Sequence, residues 1–208
     1  MLTSLSVTDF LNEIASNSPA PGGGSAAALA ASLGTALTSM VCRLTLGKKK
    51  YADVQSEMEE ALKQSEELRA KVNAIIDEDT LAFNKVMAAY GLQKETEEQK
   101  TKREAEIQEA MKTATLVPLK LMGLCIKAME LVKLIVERGN QNSISDAGVA
   151  ALMLHAGCEG AALNVKFNLA SLIDAHFVDQ IKTKLEQHQT SLNTLTSDIF
   201  ACVNKPLA

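Results

Sequence analysis
Apolar positions along this chain recur with the period of a helix, and no segment alternates for long enough to read as a strand. The clearest stretch runs from Tyr51 to about Tyr90. Alternate steps of four and three from Val54 meet Met58, Ala61, Ser65, Leu68, Val72, Ile75, Asp79, Ala82 and Val86, a seam that faces a partner helix. At 1.5 Å per residue the segment is expected to be roughly 60 Å long, with Gly91 past its end. That length predicts a bundle. It also exceeds the width of a compact domain of this size, so the seam is expected to continue onto a second copy in a homodimer or larger assembly.

The remaining pattern is helical too. A short helix capped by Ser6 or Thr8 ends before Pro19, and a second is expected from about Ser25 to Leu46 with Gly47 as its stop. Small residues at Ala26, Ala30, Gly34 and Thr38 describe a face that lets another backbone come close. Thr96 to Gln99 reads as a capping box, and the helix it opens should kink or break at Pro118 before continuing to Gly139. A polar turn from Gly139 to Ser145 then leads into a second run of small residues, with Asp146 in the first turn. Past Asp174 a last amphipathic helix reaches about Val203. The fold class expected over residues 1–208 is therefore an all-α bundle of long helices, with an Ala/Gly-rich core and one very long helix, in a single domain.

Composition narrows the function classes. With 47% hydrophobic residues in 208 the chain can bury a substantial core, and a net charge of −4 with both signs mixed gives no basic stripe for nucleic acid. Ser25 to Cys42 carries no charge for 18 residues, the lower bound for a membrane span, yet it is mostly Ala, Ser, Thr and Gly, so no membrane is expected. The opening residues lack the cationic flank and apolar run of a signal peptide, and a cytoplasmic location is expected. Cys42, Cys125, Cys158 and Cys202 form no C-x-x-C pair, and His155 with Cys158 does not complete a metal site. No metal is expected.

Two features carry candidate chemistry. The glycines of "SPAPGGGSAAALAASLG" lead into a helix N-terminus, where unpaired N–H groups meet anions. They match G-x-G-x-x-A on paper, but no strand precedes them and no G-K-[ST] follows, so neither a dinucleotide fold nor a Walker loop is present. Asp79 occupies a seam position where an unpaired carboxylate would cost several kcal/mol of desolvation. It is either a capped or water-bridged structural residue or a group with a chemical task. Ser145 and Asp146 admit a similar pair of readings, with simple capping as the plainer one.

Taken together, "PAPGGGSAAALAASLGTALTSMVCRLTLGKKKY", "IDEDTLAFNKVMAA", "KETEEQKTKREAEIQEA" with the following Pro118, "GNQNSISDAGVAALM" and "GAALNVKFNL" resemble the formiminotransferase-cyclodeaminase C-terminal domain family over nearly the whole chain, with Gln93 where the family usually has proline. The resemblance is to the stand-alone kind, which includes methenyltetrahydrofolate cyclohydrolases. It implies an all-helical folate one-carbon enzyme without cofactor, hydrolysing 5,10-methenyltetrahydrofolate. The alternatives are a formiminotetrahydrofolate cyclodeaminase and a non-catalytic folate-binding or dimerisation module. It further implies Asp79 and Asp146 as catalytic carboxylates. Pro21, Gly22, Gly23, Gly24, Ser25, Phe83, Asn140, Ser145 and Asn164 become substrate contacts, and Lys48, Lys94 and Arg103 cations for the glutamyl carboxylates of the folate substrate.

Overall fold
The computed structural model describes residues 1–205, and among these every regular element is helical. Six α-helices follow in order: α1 (Val7–Ile14), α2 (Gly23–Thr45), α3 (Gln55–Tyr90), α4 (Glu97–Arg138), α5 (Ile144–Leu169) and α6 (Ala175–Val203). Short 3-10 turns cover Leu2–Ser4, Lys49–Val54 and Gln141–Ser143. The central layer is α2 against α5. α3 and α4 pack on this pair and on each other, and α6 closes the side formed by α4 and α5.

Helix ends follow their local chemistry. Ser6 accepts from the backbone N–H of Asp9 to start α1, and the Thr96/Gln99 capping box starts α4. Gly47, at φ 74°, ends α2 in the left-handed region. α3 begins later than its apolar seam suggests, because Tyr51 leaves helical geometry at φ −116°, ψ 29° and sends its hydroxyl to the backbone N–H of Gln141, 3.0 Å away. α2 begins at Gly23, two residues before the expected Ser25.

Every seam position of α3 is buried except Asp79, which is half-buried. Ser65, the other polar member, is satisfied inside the core by Ser39 Oγ at 2.9 Å and the Thr35 carbonyl at 3.0 Å. The longest helix is α4, with 42 residues against 36 in α3, so the bundle has two very long helices rather than one. α4 runs through Pro118 as one element. The carbonyl of Ala114, deprived of its helical donor by the missing N–H of Pro118, accepts instead from Asn168 Nδ2 on α5 at 2.9 Å.

The α2–α5 contact depends on small residues. A Cβ on Gly34 would lie 2.6 Å from Leu154 Cγ and 2.9 Å from the Ala150 carbonyl, and one on Gly157 would lie 2.8 Å from the Ala27 carbonyl. Ala27, Ala31, Gly34 and Thr38 make the buried face, so the predicted stripe holds at Gly34 and Thr38 and is displaced by one residue in its first half, where Ala26 and Ala30 are half-buried. Large side chains enter from α4, where Leu121, Met122, Met129 and Ile135 are fully buried. Gly23–Thr45 and Gln141–Leu169 are apolar and long enough to cross a membrane, but about half of an apolar 18-residue stretch in each (56% and 50%) is buried in the bundle. Their outer faces leave Leu33, Leu44, Val149, Leu152 and Leu163 exposed.

Gly157→Val is expected to overpack the α2–α5 contact and cost about 1–3 kcal/mol. For a chain of this length that lowers the melting temperature by roughly 3–10 °C, measurable by calorimetry. Gly123→Ala is the control, since a Cβ there meets only His188 at 3.7 Å and gains helix propensity; its melting temperature should hold or rise.

Candidate active site
α2 opens with no side chain of its own to cap it, because its N-cap residue is Gly22. α3 supplies the acceptor. Asp79 lies against the first turn of α2, so close that a Cβ on Gly24 would fall within its carboxylate. Ser25 Oγ is 3.2 Å from Asp79 Oδ2, 2.8 Å from the Ile76 carbonyl and 3.2 Å from Thr80 Oγ1. One hydroxyl proton cannot serve both the Ile76 carbonyl and Asp79. When Ser25 donates to Ile76, a protonated Asp79 can donate to Ser25 Oγ. Burial pushes the Asp79 carboxyl above the ordinary carboxylate range, opposed by the hydroxyl and backbone N–H of Ser25.

Asp79 faces a cavity of about 410 Å³ between the ends of α2, α3, α4 and α5. The volume lies within the range of small-molecule sites. Gly22, Gly23 and Gly24 form one wall, Asp79, Phe83 and Tyr90 another, and Asn164, Phe167 and Asn168 a third. Pro21 and Ser25 are buried behind these walls. Arg103 donates from Nε and Nη2 to the Tyr90 carbonyl at 3.3 and 3.1 Å and lies 5.6 Å from the Tyr90 ring centre, which places it at the rim. Lys94 is exposed on the link between α3 and α4. Tyr90, Phe167 and Asn168 were not singled out from the sequence. The spacing of Asn164 and Asn168, one helical turn apart, was the available signal.

Lys48, Asn140, Ser145 and Asp146 are not at this cavity. Asn140 is buried at the opposite end of α2, its N–H donating to Thr45 Oγ1 at 2.9 Å and its Nδ2 to the Leu44 carbonyl at 3.1 Å. Ser145 and Asp146 occupy the first turn of α5, and Lys48 the turn after α2. Along α2 the two ends are roughly 33 Å apart at 1.5 Å per residue. Within one chain the two expected carboxylates therefore do not share a site.

No three His, Cys, Asp or Glu side chains converge in a metal-binding arrangement among the described residues. His155 Nδ1 pairs with Thr196 Oγ1 at 3.0 Å. The four cysteines are free thiols; three are buried and Cys202 is half-buried.

The fold and cavity define an all-α protein with a half-buried acid held at a helix N-terminus, and comparisons with known proteins narrow that class. Residues 6–187 match the family described as formiminotransferase-cyclodeaminase. Over 197 residues the chain is 45% identical to the methenyltetrahydrofolate cyclohydrolase of Methylorubrum extorquens, covering 95% of both chains. It is 33% identical to the formimidoyltransferase-cyclodeaminase of Rattus norvegicus over 88% of its own length, and spans 34% of that longer protein. The crystal structure of formiminotetrahydrofolate cyclodeaminase from Thermotoga maritima matches with a TM-score of 0.91 over 100% of both chains, at 29% identity. The chain belongs to the formiminotransferase-cyclodeaminase family.

Two outcomes test the site geometry. Gly24→Ala should drive Asp79 off Ser25 toward the cavity and return its carboxyl toward the ordinary range, read by NMR titration. Gly23→Ala, whose Cβ would meet only Asn164 Nδ2 at 3.9 Å, should leave that titration unchanged. Because the folded protein holds the Asp79 proton more tightly than the unfolded chain, this group's contribution to stability is greatest at low pH. It falls as pH rises from the ordinary carboxylate value to the raised folded one. Urea unfolding across that window should show a shallower decline for Asp79→Asn.

Proposed function
We propose that this protein hydrolyses 5,10-methenyltetrahydrofolate to 10-formyltetrahydrofolate, with the one-carbon bridge held at Asp79. The likeness to a cyclohydrolase over nearly all of both chains supports the reaction. The observation that carries the assignment of the site is a half-buried carboxyl held in the cavity wall against Ser25 and Gly24, where burial pushes its pKa up. Such a group can take up a proton and return it at the reacting carbon.

In this reading the charged form of Asp79 stabilises the cationic bridge and takes a proton from the attacking water. The tetrahedral carbon then expels N5, and Asp79 returns the proton to that nitrogen. As the carbinol collapses to the formyl group its hydroxyl proton leaves to solvent, so one proton is released per turnover. Neither a metal nor a cofactor enters these steps. Ser25, within reach of Asp79, holds the carboxyl in place between proton transfers. Arg103 and Lys94 near the Tyr90 rim serve the glutamyl carboxylates. The same tetrahedral carbon arises when N10 attacks a formimino group and ammonia leaves, so cyclodeaminase activity is the second reading. The likeness to the Thermotoga maritima cyclodeaminase supports it.

The working unit in this reading is a homodimer in the cytoplasm. The outer face of α2 and α5 is apolar, with Leu33, Leu152 and Leu163 exposed. A two-fold axis across the middle of these helices would set Lys48, Asn140, Ser145 and Asp146 of one copy beside the cavity of the other.

Purified protein offered methenyl- and formiminotetrahydrofolate side by side decides among the readings. Loss of the methenyl chromophore marks the hydrolase, its appearance from the formimino compound marks the cyclodeaminase, and neither change marks a non-catalytic module. Asp79→Asn should fold and lose roughly 10²-fold or more in kcat. Retention of activity within about threefold, far inside that scale, would move the chemistry away from Asp79. Sedimentation at micromolar concentration should find a dimer, and Leu33→Glu with Leu152→Glu should return it to monomer.

A further inference from the structure
Two asparagines in the cavity wall have their amide orientation set by the backbone. Asn168 Nδ2 is spent on the Ala114 carbonyl that Pro118 leaves without a donor, at 2.9 Å. Asn164 Nδ2 is spent on the Gly160 carbonyl, also at 2.9 Å. A carbonyl can only accept, so each side chain must turn its NH₂ toward the backbone and its oxygen away from it. Neither Oδ1 has a hydrogen-bond partner among the described residues, neither is a buried orphan, and both residues line the cavity. The two lie four residues apart on one face of α5, a rise of roughly 6 Å. Asn164 is next to Gly23, near Asp79, and Asn168 is one turn further from it.

Along this face of α5 the wall offers two acceptors with no partner of their own, beside one remaining N–H on each amide, and those acceptors ask for a ligand edge that carries N–H donors. We propose that Asn168 is a specificity-determining residue that accepts, through Oδ1, from the 2-amino and N3–H donors at the far end of the pterin. The inference rests on the folate reading above, with the one-carbon bridge at Asp79. From there the pterin bicycle extends past Asn164 and presents its donor edge to Asn168. Pro118 belongs to the same device. By withholding an N–H from Ala114 it fixes which end of the Asn168 amide the substrate meets, so a proline inside α4 sets the polarity of a side chain on α5.

The experiment compares kcat/KM for 5,10-methenyltetrahydrofolate with that for its 2-desamino-2-methyl analogue, which keeps the reacting bridge and lacks the amino donor. Wild type should favour the natural substrate by roughly 10-fold or more, as sites built around a substrate N–H do. Asn168→Ala should lose activity on the natural substrate and reduce that preference to about twofold or less, the two losses being coupled through one contact. Pro118→Ala with Asn168→Ala restores a backbone donor to Ala114 and removes only the acceptor facing the cavity, so it keeps the test valid if the single variant folds poorly. It should show the same collapse of preference, while Pro118→Ala alone, which keeps the acceptor but no longer fixes the amide's orientation, should lower the preference by less than either variant that lacks Asn168. A merely structural role for Asn168 predicts equal losses on both compounds with the preference intact, and that result overturns the proposal. So does an active wild type that does not distinguish the two compounds, which leaves the hydrolase reading standing. A wild type inactive on both methenyl- and formiminotetrahydrofolate overturns the folate reading itself and this proposal with it.

Discussion
The bundle depends on how closely α2 and α5 approach. At Gly34 and Gly157 the opposing backbone lies where a side chain would otherwise begin, so the pair meets through main chain and methyl groups rather than through large apolar residues. That contact has consequences at both ends. Running antiparallel, it brings the glycine loop before α2 beside the asparagines near the end of α5, and the turn after α2 beside the loop that starts α5. Because small residues fill little volume, α4 must supply the bulk of the core, which accounts for its run of buried Leu, Met, Ile and Val.

Two of the polar groups around the cavity are positioned by a deficit elsewhere. α2 has a glycine as its N-cap and therefore lacks a side-chain acceptor; Asp79 of α3 fills that place and is raised in pKa by the burial this requires. α4 has a proline and therefore an orphan carbonyl; Asn168 of α5 satisfies it. The structural and chemical readings of Asp79 are thus not alternatives. A carboxyl packed from a neighbouring helix against a helix end is partly dehydrated, which raises its proton affinity, while the hydroxyl and N–H of Ser25 act in the opposite sense. Small-residue packing at Gly24 is what admits it.

The polar residues at the far end of α2 and α5 are built just as firmly, with buried Asn140 tying the Thr45 turn to the loop ahead of α5. Their separation from Asp79 by the length of α2 and the exposed apolar face between the two ends have a common origin. The helices that carry both sets of residues are apolar on two sides, one facing the bundle and one facing outward.

The helical class, the capping box at Thr96, the stop at Gly47 and the buried seam from Val54 to Val86 were legible in the sequence because each depends on local spacing or local backbone chemistry. Asp79 was legible as an exception to its seam for the same reason. What surrounds it was not. That the Asp79 carboxyl meets Gly24 rather than Gly23, that Tyr90, Phe167 and Asn168 complete the walls, and that Asn140 and Asp146 lie at the other end are matters of helix direction and offset. Pro118 shows the difference most directly. Its own chemistry predicts a lost hydrogen bond and hence a kink or a break, and α4 nevertheless continues as one element, its open carbonyl met by a donor from 50 residues further along the chain. Periodicity records which face of a helix is buried. Only the tertiary packing decides which neighbour that face meets, and so which backbone deficits are filled and which side chains are left free for a ligand.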